Sequence, residues 1–235
     1  TLTLSYAYVF QNDSFGHVID FVDVGLPNGN FNESDISASV DGKPVSYISR
    51  SEFQGEGGSG VAVALGGNSI PPGGSGTVTV NIPGIRAVLR PDTQGDEYAS
   101  AVLMPNYFIS SVSYGYTDTT VTYHFPPGVQ PEEPRWHEAP TGFPSEPETG
   151  IDENGRIYYT WRSSTATPSG QYTFGASFPE TYVPSSAIVR FDLGAWIEQN
   201  IETFMALMCC GVILFPTILS AIGARKRQMK YLPPK

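Results

Sequence analysis

Residues 204–224 read FMALMCCGVILFPTILSAIGA, 21 residues without a charge. A helix of that length, at about 1.5 Å per residue, covers roughly 30 Å, the thickness of a bilayer's hydrocarbon core. Buried helices of soluble domains are usually shorter and carry a polar stripe, whereas this run is apolar on every face. It therefore predicts a single transmembrane helix, and the rest of the chain reads as the body that helix anchors.

Charge segregates around the run. All 23 acidic residues lie at or before Glu202 beside eight basic ones, a net −15, while the five basic residues that follow the run give +5. Arg225, Lys226, Arg227 and Lys230 stand directly after the apolar segment, and by the positive-inside rule they place the C-terminal tail in the cytoplasm and the body outside it. The bilayer is thus one expected partner. A body this acidic is a poor match for nucleic acid.

Within the run, Pro216 removes a backbone donor and kinks the helix, and Gly211 and Ser220 offer small surfaces for another helix. Trp196 fits either the headgroup level or a packing site on the body. Cys209 and Cys210 are the two cysteines and both fall inside the run, so the body has no disulfide framework. A start at Thr1 fits a mature N terminus left by a cleaved signal peptide, or a fragment.

The body's composition, with 25 glycines, 20 prolines and 12% aromatics, suits short strands joined by tight turns. Leu2, Leu4, Tyr6, Tyr8 and Phe10 alternate with small polar residues, the period of a half-buried strand. His17 to Leu26 forms a second strand, expected to pair or neighbour the first. Ile36, Ala38 and Val40 run up to Asp41-Gly42, and an apolar run resumes at Val45, which predicts a tight hairpin. Val61–Leu65 and Thr77–Ile82 follow. Further strands are expected at Ala99–Met104, Tyr107–Tyr116, Thr119–Phe125, Arg156–Arg162, Gln171–Phe178 and Ala187–Phe191, with Asp152-Glu153-Asn154-Gly155 as the turn into Ile157.

This spacing predicts an all-β ectodomain of Ig-like sandwich type, with two sandwiches at 1–104 and 105–191 or one larger sandwich. A juxtamembrane linker at 192–203, the helix at 204–224 and a basic tail at 225–235 complete the chain. Residues 126–150 are proline-dense and can be neither helix nor central strand, so they read as a semi-rigid loop over the surface. Arg135, Trp136, His137 and Phe143 lie in that loop. Either they form a partner-contact patch, or Trp136 and Phe143 tuck back and pin the loop.

Little chemistry is visible in the sequence. His17, His124 and His137 lack a second ligand at helical or hairpin spacing, so no metal site is expected. Asp92, Asp96 and Glu97, like the Asp152 turn, lack the EF-hand ligand pattern and read as solvated carboxylates, with a loop-bound Ca²⁺ as the alternative. No nucleophile elbow, phosphate loop or dinucleotide fingerprint occurs, so no cofactor and no catalysis are expected. Asn12-Asp13-Ser14 and Asn32-Glu33-Ser34 match the glycosylation sequon.

Three segments carry a resemblance: Ile19-Asp20-Phe21-Val22-Asp23-Val24-Gly25-Leu26-Pro27, Phe125-Pro126-Pro127-Gly128-Val129, and Arg225-Lys226-Arg227 through Tyr231-Leu232-Pro233-Pro234. With them the chain resembles a group of bacterial and archaeal membrane proteins in which a β-rich extracytoplasmic region precedes a transmembrane helix, a basic cluster and a Tyr-Leu-Pro-Pro segment. The first stretch also resembles the luminal domains of ribophorin-like proteins. The resemblance implies an architecture, with further membrane segments beyond Tyr-Leu-Pro-Pro, and no reaction. Anchor, acidic body and missing chemistry together predict a non-catalytic interaction or accessory subunit at the cell membrane, partnered by other membrane subunits or by itself. The alternatives are a cell-surface ligand or carbohydrate binder and an extracellular hydrolase.

Overall fold

The computed structural model describes residues 1–51, 59–93 and 97–190. The expected linker, membrane helix and basic tail, with Gly211, Pro216, Ser220, Arg225, Lys226, Arg227 and Lys230, lie outside the described residues. Among the described residues no helix is long and apolar enough to cross a membrane.

The described chain is all-β. Its strands are β1 (Leu2–Gln11), β2 (Phe21–Gly25), β3 (Ser37–Val40), β4 (Lys43–Val45), β5 (Tyr47–Ser51), β6 (Gly60–Ala64), β7 (Ser75–Ile85), β8 (Arg90–Pro91), β9 (Tyr98–Leu103), β10 (Thr117–His124), β11 (Arg135–Trp136), β12 (Glu148–Ile151), β13 (Ile157–Ala166) and β14 (Phe174–Pro179). They form four antiparallel sheets in the orders β1-β7-β3-β4, β2-β6-β5, β10-β13-β12 and β11-β14-β9-β8.

The first two sheets share one core. Val22 and Val24 of β2, Val61 and Val63 of β6, and Val78, Val80 and Ile82 of β7 are buried there, and Leu2, Leu4, Tyr6, Tyr8 and Phe10 of β1 close one side. Each such aliphatic side chain contributes about 1.5–3 kcal/mol on burial, and β-branched residues suit the pleated surface. The other two sheets share a second core around Phe125, Tyr159, Trp161, Phe174 and Phe178. Both cores belong to one compact unit, Thr1–Val189.

Local expectations hold where a turn fixes them. Asp41 (φ 48°) and Gly42 (φ 77°) both take positive φ, as a type I′ hairpin turn requires, and Val40 pairs with Lys43 across it. Longer-range expectations change. β1 and β2 are neither hairpin nor neighbours: β1 pairs with β7 and β2 with β6, because alternation sets which face a strand buries and not which sheet it joins. β9, expected before a division at 104, pairs with β14 and puts Ala99 into the second core. The crossing between cores therefore falls in the segment of Val88, which packs on the first core, and Leu89, which packs on the second.

Two expected strands do not form among the described residues. Residues 107–116 make no ladder, since Phe108 turns into the first core while Tyr114 and Tyr116 point outward. In place of the strand expected from Ala187, a 3₁₀ turn Ser185–Ala187 precedes a single parallel bridge between Ile188 and Leu89.

Candidate interaction surface

The proline-rich segment crosses from one sheet of the second core to the other and back. It leaves after β10, adds β11 to the edge of β14, and returns as β12 at the edge of β13. Proline is tolerated there because edge strands spare donors that central strands need. Phe143 pins the crossing, with its ring edge-on to Tyr172 and Phe174 at centroid distances of 5.0 and 4.9 Å. The carbonyl of Pro134 accepts a 2.7 Å bond from the Tyr159 hydroxyl.

The other three candidate residues of this segment separate across β11. Trp136 stands 41% exposed and edge-on to Tyr159 at 5.7 Å. Arg135 holds its guanidinium 3.9 Å above the Tyr98 ring, a cation–π contact. His137 lies over Gly175, its Nε2 2.8 Å from Ser177 Oγ and 3.3 Å from Ser100 Oγ. Ser177 is fully buried. A hydroxyl closed off in this way cannot reach a substrate, so the imidazole bridges two strands where a nucleophile would need an open approach.

Asp152 organises the turn before β13. Its carboxylate accepts bonds from the backbone N–H groups of Asn154 and Arg156 and from the Arg156 side chain, and it lies 2.9 Å from His124 Nδ1. These donors, the Arg156 N–H first, hold its pKa down at about 2. An acid group with a depressed folded pKa stabilises the fold above its ordinary value and loses that contribution as pH falls through the folded one. Melting temperature is therefore expected to drop between about pH 4 and pH 2. Asp152→Asn should flatten that drop, and an unchanged acid limb in thermal unfolding scans at stepped pH would contradict this role.

Among the described residues, a different segment leaves several large apolar side chains open. From Tyr98 to Thr117 no residue carries a charge. Its first half works as a seam. Asn106 Oδ1 accepts the Gly25 N–H at 2.8 Å and Asn106 Nδ2 donates to the Asp23 carbonyl at 3.0 Å, so one side chain mimics a strand against the edge of β2. Phe108 meets Tyr8 and Phe10 edge-on at 5.6 and 5.4 Å. Burial pushes the Tyr6 hydroxyl up to about 12 and raises Tyr8 and Tyr123 as well, the mark of a dry aromatic seam. A cavity of about 30 Å³ lies along it, lined by Leu4, Tyr6, Leu26, Leu103, Pro105 and Asn106 among others.

Past the seam the segment turns outward. Ile109 is 42% exposed, Val112 73%, Tyr114 78% and Tyr116 77%, and Phe15 of the 12–16 loop is 97% exposed. Asp13 ties the two loops together, accepting the Phe15 N–H at 2.8 Å and the Tyr114 hydroxyl. The Tyr114 hydroxyl, with the Phe15 N–H second, holds the Asp13 carboxyl below the usual range, and that carboxylate raises Tyr114 in turn. The sequence shows these residues as apolar but does not show that they are left uncovered.

Of the two sequons, Asn12 is 9% exposed and spends its amide on the carbonyls of His17 and Ile70. Asn32 is exposed. Among the described residues no group of three or more His, Cys, Asp or Glu is placed to hold a metal ion. Neither the family models nor the curated proteins searched with the sequence give a match.

Proposed function

We propose that this chain is a non-catalytic interaction or accessory subunit, anchored in the cell membrane by residues 204–224 and presenting an Ig-like, two-sandwich body outside the cytoplasm. The observation that supports this reading is the cluster of Phe15, Ile109, Val112, Tyr114 and Tyr116, exposed on joined loops within a body that otherwise carries a net −15. Large aromatic and aliphatic side chains left uncovered on a rigid scaffold suit a protein contact, where such residues carry most of the binding energy. The apolar run and its basic flank support the anchor and its orientation.

The test is the mass of the full chain after gentle solubilisation from native membranes. A particle containing further protein is expected, and a strictly monomeric particle with no other chain would sink the reading. The paired substitutions Val112→Ser and Tyr116→Ser should lower partner retention at least about tenfold, since a contact worth about 1.4 kcal/mol is tenfold in affinity. Unfolding should shift by no more than about 0.5 kcal/mol, because both side chains are exposed.

A further inference from the structure

The four sheets present eight edges among the described residues, and seven of them carry a charge or a proline. β4 has Lys43 and Pro44, β2 has Asp23, β5 has Arg50, β8 has Arg90 and Pro91, β10 has Asp118, β11 has Arg135 and β12 has Glu148. Such residues protect an edge, because a lysine, proline or carboxylate must be desolvated or displaced before another strand can pair. Two edges are also occupied. Asn106 bonds the β2 backbone, and Arg50 of β5 reaches back to the carbonyls of Gly29 and Phe31.

β1 is the exception. It is the terminal strand of its sheet, it is ten residues long, and from Leu2 to Gln11 it contains neither a charge nor a proline. Its outward row is Thr3, Ser5, Ala7, Val9 and Gln11, all exposed, with Val9 at 79%. The outer face beside it is largely neutral: Ser5 bonds Asn81 at 2.9 Å, Ser39 lies 2.7 Å from Thr79, and the carboxylate at its end, Asp41, is two strands in from the edge and accepts the Thr77 N–H at 2.8 Å.

We propose that β1 is a dimerisation edge, pairing antiparallel with β1 of a second copy of this chain. This rests on the interaction reading above and adds to it a self-contact at β1, separate from the exposed cluster of Phe15, Val112 and Tyr116. The choice of a second copy follows from charge. Two bodies of net −15 repel wherever their carboxylates face each other, and β1 with its neighbouring face is a stretch where identical surfaces can meet without a like-charge pair. A twofold axis through an antiparallel strand pair makes the contact self-complementary, and a strand of ten residues offers roughly 33 Å of ladder.

The experiment is native mass measurement of the full chain in mild detergent, for the wild type and for the double variant Ala7→Lys, Val9→Lys. Two copies per particle are expected for the wild type. The lysines should raise the dimer dissociation constant at least about tenfold, with thermal unfolding retained because both positions face solvent. Hydrogen exchange on the wild type gives a second reading that needs no variant, since β1 amides should gain protection as protein concentration rises. One copy per particle with another protein present overturns this inference and leaves the interaction reading standing. One copy with nothing else removes both. A dimer that survives the two lysines, or β1 exchange indifferent to concentration, also overturns it.

Discussion

Replacing Trp161 by alanine is expected to cost about 3–5 kcal/mol, the range for emptying a large aromatic site in a close-packed interior. Trp161 is 1% exposed and central to the second core, with ring centroids of Phe174 at 5.4 Å, Tyr123 at 5.9 Å and Tyr159 at 6.3 Å around it. These neighbours come from β14, β10 and β13, so the cavity would open between two sheets whose backbones are held by their own ladders and cannot collapse to fill it. The indole carries a complication. Its Nε1 is buried without a hydrogen-bond partner, and an unpaired buried donor costs about 1–3 kcal/mol. Trp161→Phe keeps most of the ring and removes that donor, so its expected loss is below about 1.5 kcal/mol. Urea titration at unchanged slope distinguishes the two variants, and an alanine variant within about 1 kcal/mol of wild type would contradict the packing described.

What the sequence reveals about this fold is local. The alternation of Leu2 to Phe10 yields β1 with the buried face expected, and Asp41-Gly42 and Asp152 to Gly155 yield turns where expected. These are properties of adjacent residues, set by side-chain period and by positive φ. Sheet membership is set by distant chain. Nothing in β9 shows that its partner is β14, and nothing in β1 shows that β2 crosses to the facing sheet. Residues 107–116 read as a strand because three tyrosines, Phe108, Ile109 and Val112 give them the composition of one. In the fold, Phe108 is drawn into the first core and the residues beyond it lose any edge to pair with.

The candidate site shows the same limit. Arg135, Trp136, His137 and Phe143 are legible as the aromatic and charged residues of a proline-dense connection; Phe143 packs back on Tyr172 and Phe174, while Trp136, expected to tuck back with it in one of the two readings, is 41% exposed. That Trp136 and Arg135 face opposite ways depends on β11 joining β14, which no local pattern states. The exposed Val112, Tyr114 and Tyr116 have the composition of core residues, so only their place in the fold marks them as surface. Asn106 has no sequence signal at all, since an asparagine after a proline reads as a turn.

Asn106 is where the two cores can be uncoupled. Leucine shares asparagine's branched outline, though it is bulkier, and cannot hydrogen-bond, so Asn106→Leu would leave the Gly25 N–H and the Asp23 carbonyl without their present partner. Each orphaned group costs about 1–3 kcal/mol when held away from water, which makes a total loss of about 2–4 kcal/mol reasonable for a site that is partly buried. The loss falls on the seam and not on either core, because Val24 and Phe174 keep their neighbours. Calorimetry should therefore show the transition broaden or divide as each core unfolds with less help from the other, where Trp161→Ala weakens the second core directly. Asn106→Asp separates hydrogen bonding from shape. Its carboxylate still accepts the Gly25 N–H but faces the Asp23 carbonyl with a second acceptor, and protonation restores a donor there. The aspartate variant should accordingly be weaker than wild type at neutral pH and recover as pH falls through its own carboxyl pKa, which the repulsion raises. A leucine variant with an unaltered single transition, or an aspartate variant that does not recover in acid, would show that the bonds to β2 do not couple the cores.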